Sequence, residues 1–391
     1  MDQLKCPFAL VSLAFLAGCA EFPEKYENVI DGEKIRPFAI LLDPPEAAPG
    51  DTVKVELKLH DAGKDYDLAW ELALRYQLNL GAISSPFPNA SEIVDLEGQG
   101  RKISASSDGL SFSVVIPSGD KNPVALTNLT PEIVRTEEDL SAEEKDALRE
   151  LGITSFQGGL RKSDLVAALD SARTVPNALS PLVDALVGLV RFKAKLTSPG
   201  FKLDVTKALT IRYSNRVETG TYLSNVNRNP VIDSIGIIRV NAKGLTYFGE
   251  IAGHEADTIF FRTHKEVDLD NPPYDTLKVL PDRSYFLIAQ SEGSEQSYRS
   301  PAGMEHKEQL FYQWFYSNLD KTGSDWKDLI NLANGDRPSS YPVVPIRFPK
   351  KEVGLRHFSI KATVGDIRPE WGALSSAGLN YKMIYGYLDY D

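Results

Sequence analysis

Alternation of apolar and polar positions is the strongest pattern in the chain. Val53, Val55, Leu57 and Leu59 alternate with Lys54, Glu56, Lys58 and His60. A strict period of two predicts a strand with one face buried and one wet. Pro49-Gly50-Asp51 precedes it as a turn, since proline presets one backbone angle and glycine tolerates a left-handed one. "PFAILLD" (37–43), "DLAWELALRYQL" (67–78) and "GLSFSVVIPSG" (109–119) read as further strands.

The period then changes. In residues 130–153 Leu140, Ala147, Leu148 and Leu151 form a helical stripe, and Ser141 with Glu144 has the spacing of a capping box. "RKSDLVAALDSAR" (161–173) and "SPLVDALVGLVRFKAKL" (180–196) read as two more helices, with Ser163 and Ser180 as caps and Pro181 at a first helical position. Residues 130–196 are therefore expected to form a helical insertion, or a small helical domain, before strands resume at "FKLDVTKALTIRYSN" (201–215). Asn225 to Asn229, followed by Pro230, reads as a hinge.

Beyond it the first pattern returns. "PVIDSIGIIRV" (230–240), "LPDRSYFLIAQSEG" (280–293) and "EQLFYQWFYSN" (308–318) repeat a strand, a turn with Pro and Asp, an alternating strand and a strand with tryptophan. "HFSIKATVGD" (357–366) alternates again, and "NYKMIYGYLDYD" (380–391) closes the series. A strand, a turn, an alternating strand and a strand carrying Trp70 or Trp314 resemble the opening of an immunoglobulin-like β-sandwich, where a tryptophan fills the space between sheets. The resemblance implies a mainly β protein of two immunoglobulin-like antiparallel β-sandwiches, the first interrupted by a small helical insertion. Their expected spans are 37–225, with the insertion at about 130–196, and 226–391. The insert and the long stretch 243–280 depart from the family pattern.

The N-terminus has a separate character. Pro7 to Gly18 carries no charge and is rich in Leu, Val and Phe, yet it is shorter than the roughly 20 apolar residues that span a bilayer. A short apolar run after Lys5, ended by small residues, has the pattern of an export signal over residues 1–18. Leu16-Ala17-Gly18-Cys19 resembles the lipobox of bacterial lipoprotein precursors. That resemblance implies cleavage before Cys19, acylation of its sulfur, anchoring by several acyl chains including palmitate, and a tether over 19–36. Ala20 and Glu21 lack the Asp that in this family favours the inner membrane, which points to the outer membrane.

Composition sharpens this picture. With 42% hydrophobic residues in 391, the chain can build two or three cores of ordinary size. Cys6 leaves with the signal and Cys19 takes the lipid, so the mature chain has no thiol chemistry or disulfide. A net charge of −11 disfavours nucleic acid as a partner.

Catalytic motifs are scarce. His60 and His357 flank or join alternating strands, and His254-Glu255 lacks the second histidine of a zincin helix. No Gly-x-Ser-x-Gly elbow or phosphate-binding loop occurs. "HEADTIFFRTHKEVDLDNPPYD" (254–275) concentrates carboxylates, and Asp268, Asp270, Asn271 and Asp275 have spacing that a Ca²⁺ site uses, without the glycine and distal glutamate of a hand-type loop. Trp326, Tyr298 and Tyr341 are the aromatic candidates for a binding face toward a protein or glycan, since flat rings stack on sugars. The function expected is a membrane-anchored, non-catalytic envelope lipoprotein, a spacer and binding platform for an envelope protein or a glycan. The alternative is an envelope polysaccharide hydrolase using acidic loop residues.

Overall fold

The computed structural model describes residues 29–30, 36–60, 66–73, 76–77, 89–90, 93–95, 102–103, 109–127, 130–198, 201–217, 227–264, 274–299, 304–320, 329–331, 342–369 and 378–390. Among the described residues the protein is mainly β, with several antiparallel sheets and no barrel. Two separate hydrophobic clusters, one drawn from residues 40–213 and one from 232–388, define two modules. No helix among the described residues is long and apolar enough to cross a membrane.

The first strand, β1 (Val29–Ile30), belongs to the second module. The first module runs through β2 (Arg36–Asp43), β3 (Glu46–Ala47), β4 (Thr52–His60), β5 (Asp67–Ala73) and β6 (Ile93–Asp95). It continues with β7 (Lys102–Ile103), β8 (Ser111–Val115), β9 (Gly188–Ser198) and β10 (Phe201–Ile211). One sheet has the order β2-β4-β8-β7 and the other β3-β10-β9-β5-β6, antiparallel except where β3 lies parallel to β10. Between them sit Ile40, Val53, Val55, Phe112, Trp70, Phe192 and Leu209. Trp70 is 1% exposed and meets Phe112 edge-on at 5.0 Å.

Four helices, α1 (Pro123–Leu126), α2 (Ala142–Glu150), α3 (Lys162–Ser171) and α4 (Ser180–Ala185), are described between β8 and β9. The Ser141–Glu144 capping box is present in both directions, at 3.1 and 2.8 Å. Leu148, Leu165, Leu169 and Leu182 join the same cluster as the strands, so the segment is an insertion sharing the first core. Its bounds differ from the expected ones. It begins before residue 130, and the helix expected over 180–196 stops at Ala185. Gly188–Ser198 is instead an eleven-residue strand, because Val190, Phe192, Ala194 and Leu196 alternate with Arg191, Lys193 and Lys195. Ser163 and Ser180 do not cap: α3 starts at Lys162, and Ser180 is itself the first residue of α4, its hydroxyl donating to the Asn177 carbonyl at 2.6 Å.

The second module contains β11 (Ser234–Val240), β12 (Ala256–Phe261), β13 (Asp275–Val279), β14 (Ser284–Gln290) and β15 (Gln309–Asn318). β16 (Leu329–Asn331), β17 (Val343–Ile346), β18 (His357–Ile367) and β19 (Leu379–Tyr390) complete it. Its sheets have the orders β12-β11-β14-β17 and β1-β16-β15-β18-β19-β13, with β13 parallel to β19. Trp314 lies 0% exposed in this core. The tether expected over 19–36 is thus interrupted, since Val29 and Ile30 pair with Ile330 and Leu329. An edge strand with open backbone groups accepts such an addition.

Three cross-strand pairs set a phenylalanine opposite a glycine: Phe311 and Gly365, Phe358 and Gly386, Phe260 and Gly236. The ring covers the space a side chain would take, a known device for glycine in sheets. A Cβ on Gly386 would lie 2.1 Å from Phe358, and one on Gly236 would lie 2.9 Å from Phe260. Phe358 is 0% exposed among Phe348 and Tyr316, whereas Phe260 is 50% exposed and can swing aside. Gly386→Ala is therefore expected to cost at least about 1–3 kcal/mol, and Gly236→Ala clearly less, as read from urea midpoints. Equal midpoints would refute this account of the pairs.

Candidate functional site

The most unusual chemistry lies where the modules meet. Asn227 donates its backbone N–H to Glu46 at 3.0 Å and its side-chain amide to Asp366 at 2.8 Å. Asn229 donates to the Leu42 carbonyl at 2.7 Å and accepts from the Leu379 N–H at 2.9 Å. The Arg228 N–H donates to Gln296 at 2.7 Å. Residues 227–229, expected to hinge, are clamps between the modules. Asn and Gln suit this role because one amide both donates and accepts.

Around these clamps five charged side chains converge from distant parts of the chain. Glu46 is on β3, Arg212 follows β10, Glu308 precedes β15, Asp366 is on β18 and Arg368 follows it. None is more than 3% exposed. Arg368 donates to Glu308 through Nε at 2.7 Å and meets it again through Nη2 at 2.6 Å. Its Nη1 lies 4.0 Å from Glu46, and Arg212 Nε lies 3.9 Å from Glu46 on the other side. Glu46 of the first module thus stands between one guanidinium of each module. Burial pulls the Arg212 guanidinium below its ordinary value, against the charges of Glu46 and Asp184. Burial also raises Glu308 despite Arg368 beside it. The Asp366 carboxyl is pushed up to about 7, by burial first and by the Glu308 charge second.

Apolar contacts reinforce the junction. Ala39 and Leu41 of β2 pack with Phe311, Phe315 and Leu379, and Val187 packs with Tyr298. Beside them opens a cleft of about 220 Å³ between β2 and β4 on one side and the start of β19 on the other, with Asp43, Lys54, Glu56, Lys58, Asn380 and Tyr381 in its walls. Lys58 pairs with Glu56 at 2.5 Å and its ammonium stands 5.6 Å from the centre of the Tyr381 ring. Burial pushes the Tyr381 phenol up. Two carboxylates facing two ammonium groups give the cleft a polar, balanced lining.

The residues singled out from sequence fall elsewhere. Tyr298, expected on a binding face, is 0% exposed. It pairs with His306 across a short hairpin, stacks on that ring at 5.8 Å, and lies 5.1 Å beneath the Arg368 guanidinium. The hairpin folds back over the junction and takes the ring from the surface. Trp326, Tyr341, Asp268, Asp270 and Asn271 lie outside the described residues, as does Cys19. Asp275 accepts from Arg262 through its backbone N–H at 2.8 Å and through Nε at 2.9 Å. Burial opposes its ionisation, but the Arg262 bonds prevail and hold it below its ordinary value. Within the acidic stretch, Asp257 stands on β12 and forms an ion pair with Arg239 at 2.6 Å. Among the described residues no three His, Cys, Asp or Glu side chains converge as metal ligands.

A further contact joins a histidine to a carboxylate. His357 Nδ1 bonds Asp320, which also accepts the N–H groups of Arg356 and His357. Burial opposes ionisation of Asp320, and these bonds outweigh it, keeping the carboxyl below its ordinary value. Tyr274 and Tyr387 flank the imidazole at 4.6 and 5.1 Å.

No sequence motif joins Glu46, Arg212, Glu308, Asp366 and Arg368. The nearest signal was a charge set directly against strand runs, as in "GDIRPE" (365–370). No protein-family model, curated protein or solved structure matches this chain.

Proposed function

We propose that this chain is a membrane-anchored, non-catalytic envelope lipoprotein, a rigid spacer that presents two immunoglobulin-like modules to a protein or glycan partner. The junction carries the reading. Buried charges and paired asparagines at residues 227–229 tie the modules together, as a spacer with fixed geometry requires. Strand order supports the immunoglobulin-like class: β2-β4-β8-β7 has the A-B-E-D order, and β10-β9-β5-β6 has the G-F-C-C′ order. In the second module β19-β18-β15-β16 repeats G-F-C-C′, with Trp314 on the strand equivalent to the one carrying Trp70. The raised carboxyls, Asp366 and Glu308, are buried rather than facing a cleft, which favours a structural role over acid–base catalysis.

The address rests on Leu16-Ala17-Gly18-Cys19. Native protein is expected in the membrane fraction with an acylated Cys19 as its N-terminus, and Cys19→Ala is expected in the soluble fraction. Fractionation and mass spectrometry of the intact chain check this. An unacylated N-terminus, or one retaining residues 1–18, overturns the anchoring. The soluble Cys19→Ala form, used as bait on native envelopes and on a glycan array, is expected to retain a partner. Silence in both overturns the platform role.

A further inference from the structure

We propose that the module junction is a proton-dependent latch, in which one proton on Asp366 keeps the modules docked and its loss loosens the walls of the cleft between them. The latch depends neither on acylation nor on a partner.

Asp366 is 0% exposed. One of its oxygens accepts from Asn227 at 2.8 Å and from the Gly378 N–H at 3.0 Å. The other takes no hydrogen bond from a described residue. The charged groups around it come from both modules: Glu308 and Arg368 from the second, Glu46 and Arg212 from the first. Asp184 on α4 adds negative charge on the Arg212 side, while Tyr298 and His306 close the Arg368 side. Within this buried set the three carboxylates of Glu46, Glu308 and Asp366 outnumber the guanidinium groups of Arg212 and Arg368, so full ionisation leaves the set with a net negative charge in a dry space. Such a charge is costly, and one proton removes it.

The Asp366 position near 7 follows from that geometry. In an unfolded chain the group titrates at its ordinary 3.8, so folding takes up a proton between 3.8 and about 7. Where the native state binds more protons, stability falls as pH rises. Docking is therefore strongest below about 3.8, weakens as pH climbs toward about 7, where native Asp366 gives up its proton, and levels off above it. The change is carried to the cleft directly. Asp366 holds the Gly378 N–H, the adjacent Leu379 N–H donates to Asn229, and Asn229 donates to Leu42. Leu379, Asn229 and Leu42 all line the cleft.

The test is thermal unfolding and amide exchange of the full chain from about pH 5 to about pH 8, a window that holds the decline below the Asp366 step and the plateau above it. Wild type is expected to lose melting temperature across it, with exchange at Leu379 and Asn229 rising beyond the intrinsic effect of base. Asp366→Asn, which is neutral at every pH, is expected to abolish the slope and to exceed wild type at the alkaline end. Glu308→Gln, which removes the neighbouring charge, is expected to move the midpoint to lower pH, and it serves where Asp366→Asn fails to fold. His306→Gln is expected to keep the wild-type profile. A flat wild-type profile overturns the latch. So does a slope that survives Asp366→Asn, an unmoved midpoint in Glu308→Gln, or a slope lost with His306→Gln.

Discussion

Arg368→Met is expected to lower the unfolding free energy by about 3–5 kcal/mol, the usual penalty for removing one partner of a buried ion pair. Arg368 is 2% exposed, donates to Glu308 through Nε, holds it as an ion pair through Nη2, and approaches Glu46. Without it, Arg212 is the one guanidinium left in the buried set with Glu46, Glu308 and Asp366. The methionine retains the packing of the aliphatic stem, so the loss reports charge rather than volume. Pairing the change with Glu308→Gln is expected to restore most of the stability, because an apolar or neutral replacement of both partners is far cheaper than orphaning one. Because the network spans both modules, the single variant is also expected to unfold in two steps rather than one. Urea unfolding followed by tryptophan fluorescence checks both points, since Trp70 and Trp314 report the separate cores. A loss under about 1 kcal/mol would mean the pair behaves like an exposed one.

Trp314→Ala is expected to cost about 3–5 kcal/mol, through lost burial and the cavity left behind. Trp314 is 0% exposed in the cluster formed with Tyr312, Tyr316, Phe358 and Ile360. The effect is expected to fall on the second module. Amide exchange in β15, β18 and β19 should accelerate while β9 and β10 keep their protection. Trp314→Phe is expected to be much milder. The indole N–H of Trp314 finds no acceptor among the described residues, and a buried donor without a partner costs roughly 1–3 kcal/mol. Phenylalanine removes that penalty as it removes volume. Comparable destabilisation by the two variants would contradict this.

Much of the fold was legible because local spacing reports which side of a chain is dry. The alternation at Val53–Leu59 became β4, Trp70 and Trp314 became core residues, and the Ser141–Glu144 box capped α2. Misreading came where signals overlapped. "SPLVDALVGLVRFKAKL" begins with Ser-Pro and helix formers, so its period of two after Gly188 was absorbed into a helix. The junction was illegible for a different reason. Glu46, Arg212, Glu308, Asp366 and Arg368 are far apart in the chain, and each alone resembles an ordinary surface charge. Asn227 and Asn229, beside Pro230, have the composition of a turn, and composition does not say what an amide will bond.

Periodicity, turn residues and tryptophan placement, all local, were enough to set a mainly β protein with a helical stretch ahead of β9. The N-terminal cysteine pattern is equally local and needs no fold to be read. Which strand pairs with which, that β1 joins the far module, that Tyr298 turns inward, and that five charges meet in a dry junction are long-range outcomes. They follow from how two sheets per module close and dock, because burial and charge pairing are properties of neighbours in space rather than neighbours in the chain.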